Sequence, residues 1–393
     1  MHNGSLPRGP VRLFAVDDSS IQVFWRGLRP GSLSLEPLDL DGTPLAAAVK
    51  VDLDESGRPG AVVVDDLPSD TAGALRVMLD GQFLAPVGFC TRPRLPGEEL
   101  VRVATISDLH LGARSFGHRD TIVEDPGDME PHPTRCARAA VDELVEWGAT
   151  YLAAKGDITN RGQVPEWRTW AGLVATTPVP IDALPGNHDC EHPRSTRSLP
   201  LSAAAAAFGL SIAQPLIVRD LPGLRVVLAD TTINGRNRGT LAPVLTDVLD
   251  ALAETPTSTA ALLLLHHQLH PWHGQEGWPR GIEHRDALDL LERIGRVHPR
   301  TLVSSGHTHR CRRWAHAGVT TTQVGSTKDY PGVWAGYTFS EGGIRQLVRR
   351  VSTPDVLEWT DRTRRAALGA WRFIGPGPID SRCFEIPWET VNV

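Results

Sequence analysis

Between His266 and His309 the chain places eight of its fifteen histidines, and both ends of that stretch have the same form. Leu262 to Leu265 is an apolar run of strand length that stops at His266-His267. Thr301 to Val303 is another, and it leads to Gly306-His307-Thr308-His309. Such runs limit the fold, because they call for a buried sheet with a polar rim at the carboxyl ends of its strands. Three earlier segments repeat the pattern. Residues 101–106 run into Ser107-Asp108-Leu109-His110, residues 151–154 into Lys155-Gly156-Asp157, and residues 179–184 into Pro185-Gly186-Asn187-His188-Asp189. The five ends would converge on one rim. Glycine in three of the clusters lets the chain turn sharply and bring backbone close to a ligand.

The segments between these strands read as helices. Ala137, Ala140, Val141, Leu144 and Val145 have helical spacing, with Thr134 suited to the N-cap and Gly148 to the stop. Further helices are expected over 166–176 and 284–294, and along the face formed by Leu241, Val244, Leu245, Val248, Leu249 and Leu252. A further strand covers 224–229. Strands alternating with helices make this part an α/β domain.

The first ninety or so residues differ. Short β-favouring runs at 21–25, 33–37, 61–64 and 75–79 are separated by Gly and Pro turns, which predicts a small β-sandwich. The Val23-Phe24-Trp25 strand and Phe89-Cys90-Thr91-Arg92-Pro93 resemble fibronectin type III-like modules. Pro93 to Gly97 reads as a linker. The expected division is therefore a sandwich over 1–96, a catalytic domain over 97–340 and a structural tail over 341–393. The tail is expected because its period becomes irregular and its Trp residues sit among Gly-Pro pairs.

Composition narrows the class. Hydrophobic residues make up 41% and charged residues 22%, the balance of a soluble globular protein. A net charge of −6 without a basic stripe argues against an extended nucleic-acid partner. No apolar run approaches the ~18 residues of a membrane helix, and the first residues lack a signal-peptide core. Five widely spaced cysteines without CxxC spacing read as free thiols, so a cytoplasmic location is expected.

The convergent side chains are Asp, His and Asn, hard oxygen and imidazole donors without thiolate. Seven of them, Asp108, His110, Asp157, Asn187, His266, His307 and His309, are too many for one tetrahedral zinc. They suit two ions of Mn, Fe or Zn sharing a carboxylate, and such a pair clamps a phosphoryl group for in-line displacement.

Asp-x-His, Gly-Asp, Gly-Asn-His-Asp, a strand-ending His and Gly-His-x-His, in that order over roughly 100–340, resemble the calcineurin-like metallophosphoesterase superfamily. The resemblance implies a four-layered α/β/β/α sandwich with a dinuclear centre at the strand ends. It implies that Asp108, His110 and His309 hold one ion, that Asn187, His266 and His307 hold the other, and that Asp157 bridges them. A hydroxide on the ions would attack phosphorus, with His188 as general acid or as a positive charge on the phosphoryl oxygens, and Asp189 holding its imidazole. His266 is preferred to His267 as the ligand, since alternation would turn His267 the other way. Purple acid phosphatases carry a tyrosine three residues after the bridging aspartate; here that residue is Asn160, so their chromophore is not expected.

The expected activity is hydrolysis of a small phosphodiester, such as a cyclic nucleotide or a glycerophosphodiester. Phosphomonoester hydrolysis is the near rival and a non-catalytic scaffold the distant one. Residues 268–285 follow a ligand directly and could overhang the site. His267, Trp272 and Trp278 are the candidates for substrate contact there, against the plainer reading of a structural loop. The oligomeric state is left open.

Overall fold

A computed structural model describes residues 9–117, 120–124, 127, 130–190, 198–271 and 279–388. The first part is a sandwich. Strands β1 (Val11–Val16), β2 (Ile21–Trp25), β3 (Gly31–Leu38), β4 (Val49–Leu53), β5 (Gly60–Val64), β6 (Ala72–Leu79), β7 (Gln82–Phe83) and β8 (Val87–Cys90) form two sheets. One has the order β1-β2-β5; the other is β4-β3-β6-β7, with β8 also on β6. Alternation along β6 turns Gly73, Leu75, Val77 and Leu79 inward. There they meet Val23, Trp25, Leu33 and Leu35 in one apolar core.

The α/β part contains β9 (Glu99–Ile106), the short pair β10 (Ser115–Phe116) and β11 (Ile122–Val123), and α1 (His132–Glu146). It continues through β12 (Tyr151–Lys155), α2 (Val164–Thr176), β13 (Ile181–Leu184), α3 (Leu201–Phe208), β14 (Leu216–Leu221) and β15 (Leu224–Ala229). Then come α4 (Leu245–Ala253), β16 (Ala260–Leu264), α5 (His284–Val297), β17 (Thr301–Ser305), β18 (Arg312–His316) and β19 (Val319–Gln323). The described chain ends with β20 (Val333–Ser340), β21 (Gly343–Arg350), α6 (Pro354–Thr363), α7 (Trp371–Ile374), α8 (Ile379–Arg382) and β22 (Phe384–Pro387).

Two six-stranded sheets result, ordered β13-β12-β9-β20-β21-β22 and β14-β15-β16-β17-β19-β18. β9, β12 and β13 run parallel, as do β15, β16, β17 and β19. Strands buried on both faces explain the unbroken apolar runs: β12 and β16 are buried at every residue. Val103, Leu184, Leu228, Leu264 and Tyr337 pack between the sheets. α1 and α2 with α6 cover the outer face of the first sheet, and α4 with α5 covers that of the second. The layers are α/β/β/α.

The segment from 341, expected as a structural tail, starts inside the first sheet: residue 341 falls in the tight turn of the β20–β21 hairpin. β21 and β22 extend the first sheet, with Ala335 opposite Val348 and Ile344 opposite Ile386. Their alternation was hidden because both faces are buried, so the polar residues Arg345, Gln346 and Arg350 are inside too. Arg345 reaches Asp17 and Asp18 of the sandwich, and Gln22 exchanges two 2.8 Å hydrogen bonds with the Arg350 backbone. The helix expected from Leu241 begins only at Leu245, after a turn.

Candidate metal centre

The carboxyl ends of β9, β12, β13, β16 and β17 meet at one edge of the two sheets, as the apolar runs predict. Three of the five, β9, β12 and β17, are left in a strained turn. Asp108, His110, Asp157, His307 and His309 all have left-handed backbones, with φ between 47° and 67°. Non-glycine residues rarely adopt that region, and such strain gathers at functional sites when the surroundings enforce it. Hydrogen bonds between loops supply the enforcement. Asp108 N donates to Gly156 O at 3.1 Å, His110 N to Asp157 O at 2.8 Å, and Gly306 N to His266 O at 3.0 Å. His307 N donates to the Asp108 carboxylate at 3.0 Å. The glycines are needed for closeness: a Cβ at Gly156 would stand 2.6 Å from His266 Nδ1, and one at Gly186 would strike Asp157 Oδ1.

The donor atoms fall into two groups that share one oxygen. In the first group, His110 Nε2 lies 3.4 Å from His309 Nε2, which lies 3.4 Å from Asp108 Oδ1. In the second, His266 Nε2 lies 3.1 Å from His307 Nδ1 and 3.3 Å from Asn187 Oδ1. Asp157 Oδ2 stands between them, 3.6 Å from His110 Nε2 and 3.4 Å from His266 Nε2. Its other oxygen accepts the His188 N–H at 2.9 Å, which fixes the carboxylate's rotation. Asp108, His110 and His309, and separately Asp108, Asp157 and His266, have donor atoms within 4.8 Å of one another.

The outward nitrogens are also engaged, which fits ligands prepared for an ion. His266 Nδ1–H donates to Lys155 O at 2.9 Å and His307 Nε2–H to Arg280 O at 3.0 Å. His309 Nδ1 meets Asp329 Oδ2 at 2.6 Å. Each contact leaves the inward nitrogen's lone pair facing the shared space.

Charge follows the same division. Burial alone would raise the Asp157 carboxyl, but His266, His188 and His110 hold it well below the usual carboxylate range. Burial would lower His266, yet Asp157 beside it brings it up to about 9. Burial together with His266 pushes His307 down to about 3, and burial together with His188 pushes His110 well down. Packed imidazoles cannot all be charged. Burial would also lower His309, but Asp329 beside it brings it up, so His110 and His307 are the imidazoles kept neutral, the form that binds metal.

His188 is exposed at the rim, with its ring edge-on to His110 at 4.5 Å. Its Nδ1–H donates to the Asn160 carbonyl at 2.9 Å, so a backbone group orients it. Asp189 does not. Its buried carboxylate accepts from Ile158 N, Thr159 N, Thr159 Oγ1 and Gly186 N at 2.7–3.1 Å. That carboxylate ties the Asp157 loop to the Asn187 loop, and the expected Asp189–His188 contact gives way to this knot.

His267 also departs from expectation. β16 ends at Leu264, so strand alternation no longer governs the two histidines, and His267 packs 4.9 Å from His266 and 4.8 Å from His307. It is fully buried, with Nδ1 2.8 Å from Thr231 Oγ1. Trp272 and Trp278 lie outside the described residues.

Asp329 and the Asn160 carbonyl were missed. Asn160 contributes only backbone, which leaves no mark in a sequence. Asp329 had a signal: Ser326-Thr327-Lys328-Asp329 follows β19 as a further polar strand end, unnoticed because it holds no histidine.

Residues 101–311 match the calcineurin-like phosphoesterases. The chain belongs to that family. Its members are hydrolases of phosphoric ester bonds with dinuclear metal centres, and the Asp/His groups described above can bind metal. A probable cyclic nucleotide phosphodiesterase of Rhodococcus erythropolis is 28% identical over 181 residues, which are 45% of this chain and 56% of that protein. The match thus spans little more than half of that relative. A purple acid phosphatase from yellow lupin (Lupinus luteus) superposes with a TM-score of 0.47 at 14% identity, over 87% of this chain and 72% of that one. A dimetal phosphatase from Danio rerio gives 0.48 at 15% identity, over 65% and 97%. Among the described residues, no helix is long and apolar enough to cross a membrane.

Proposed function

We propose that this chain hydrolyses a small phosphodiester, such as a cyclic nucleotide or glycerophosphodiester, with two metal ions at the rim. Asp108, His110 and His309 would hold one ion, and Asn187, His266 and His307 the other. The observation that carries the reading is the position of Asp157 Oδ2, one oxygen within 3.6 Å of a histidine nitrogen from each group. When bound, such an ion pair activates the nucleophile and neutralises charge on the phosphoryl oxygens. The chain's own part is positional and protonic. Asp157 is turned toward both groups by the His188 amide, and His188, held by Asn160, is placed at the exposed edge to protonate the leaving oxygen. A diester is favoured by the relationship to the Rhodococcus protein, and an alkoxide leaving group gains from an acid such as His188. Bis(p-nitrophenyl) phosphate and p-nitrophenyl phosphate, assayed with Mn²⁺, test the proposal. The diester should have the higher kcat/KM; preference for the monoester, or no turnover with metal bound, would overturn it.

The β1-β2-β5 and β4-β3-β6 arrangement supports a fibronectin type III-like sandwich ending near residue 96, before a catalytic module. Five free cysteines, four of them buried, support a reducing, cytoplasmic setting, which cell fractionation checks.

A further inference from the structure

The loop between β19 and β20 is built around a carboxylate without an evident packing role. Asp329 is fully buried, and its Oδ2 lies 2.6 Å from His309 Nδ1 and 3.5 Å from Lys328 Nζ. Its Oδ1 has no hydrogen-bond partner among the described residues. Half-satisfied buried carboxylates are unfavourable and uncommon, so a purely structural role is a poor account of it. The loop is also fastened to the first donor group from a second side. Ser326 Oγ donates to Asp108 O at 2.9 Å and Thr327 N to Ser107 O at 3.2 Å. The last helices hold the loop from behind: Trp359 Nε1 donates to Lys328 O at 2.7 Å, Tyr330 N to Thr363 Oγ1 at 2.7 Å, and Trp371 Nε1 to Tyr330 O at 2.9 Å.

We infer that Asp329 is a positioning residue for one metal only, the ion held by Asp108, His110 and His309, and that it strengthens that ion's binding through His309. This rests on the two-metal reading above. A carboxylate accepting the Nδ1–H fixes the ring's rotation and tautomer and makes Nε2 a stronger donor. His266 and His307 make their outward contacts to neutral backbone carbonyls. The two ions would therefore differ in affinity for a reason within this chain: a charged outer partner on one side and neutral partners on the other. The geometry also gives the segment from 353 to 374 a task, since its side chains hold the loop that carries Asp329.

The test is metal titration of chelator-stripped full-length protein by calorimetry, with Mn²⁺ and then Co²⁺ as probes. His110→Ala marks which of two binding steps belongs to the first group. Asp329→Asn keeps the shape and removes the charge; Asp329→Ala removes both. The same step lost in His110→Ala should weaken about 10-fold in Asp329→Asn and up to about 100-fold in Asp329→Ala, with the other step unchanged. The visible bands of the Co²⁺ form should shift in Asp329→Asn. Equal weakening of both steps, or unchanged affinities and bands, would overturn the inference. A wild-type protein that binds fewer than two equivalents would instead overturn the two-metal reading itself.

Discussion

Two sets of left-handed aspartates in this molecule have opposite surroundings. In the sandwich, Asp66, Asp70 and Asp80 have φ of 62°, 51° and 49° and are exposed. Asp80 closes its turn by accepting from Ser32 N at 2.8 Å and Arg29 Nη1 at 2.5 Å. At the rim, Asp108 and Asp157 have nearly the same φ, 54° and 47°, but are buried among histidines with the same backbone. Aspartate enters this region more readily than most residues, so a hydrated turn explains the sandwich cases. A hydrated turn does not account for the buried histidines there. The backbone angle alone is therefore uninformative; strain combined with burial and convergent donors marks the site.

Three substitutions test that contrast. Asp157→Ala should lower kcat/KM toward bis(p-nitrophenyl) phosphate by at least about 10²–10³-fold, while circular dichroism still reports a folded protein. Retained activity would remove the shared oxygen from the argument. Asp189→Ala, which leaves buried donors from Ile158, Thr159 and Gly186 without their acceptor, should lower unfolding stability by about 3 kcal/mol in a urea titration. A loss confined to activity, with stability intact, would return Asp189 to the catalytic role first expected of it. Asp80→Ala should have the smallest effect, leaving hydrolysis unchanged and moving Tm less than Asp189→Ala does. Lost hydrolysis in that variant would break the contrast.

The legible parts of the site were those in which a strand's apolar run ends in side-chain donors. Asp108, His110, Asp157, Asn187, His266, His307 and His309 could be named because each follows such a run, and the structure brings all seven to one edge. The rest was hidden for physical reasons. The Asn160 carbonyl that orients His188 has no side-chain signature. Asp189 carries the right atoms for a histidine partner, and only three-dimensional packing turns them to the backbone of 158 and 159. In the fold, β21 was obscured because Arg345 and Arg350 look like surface residues until the sandwich is placed over them, and Gln346 until the backbone of Ser381 and Arg382 is. Local pattern reads a strand's own two faces, not a face made polar by a neighbouring domain.

The strand order of the first sheet has a consequence for biosynthesis. β9 carries Asp108 and His110 at its end, yet one of its edges pairs with β20, so that Val101 lies opposite Phe339. As the chain leaves the ribosome, the sandwich can close early, but β9 stands with an open edge until nearly all of the catalytic part has been made. Long-range pairing of this kind is slow, and unpaired edges invite wrong partners. The sandwich, already folded and bearing the contacts for β21, is a template on which the late strands can settle.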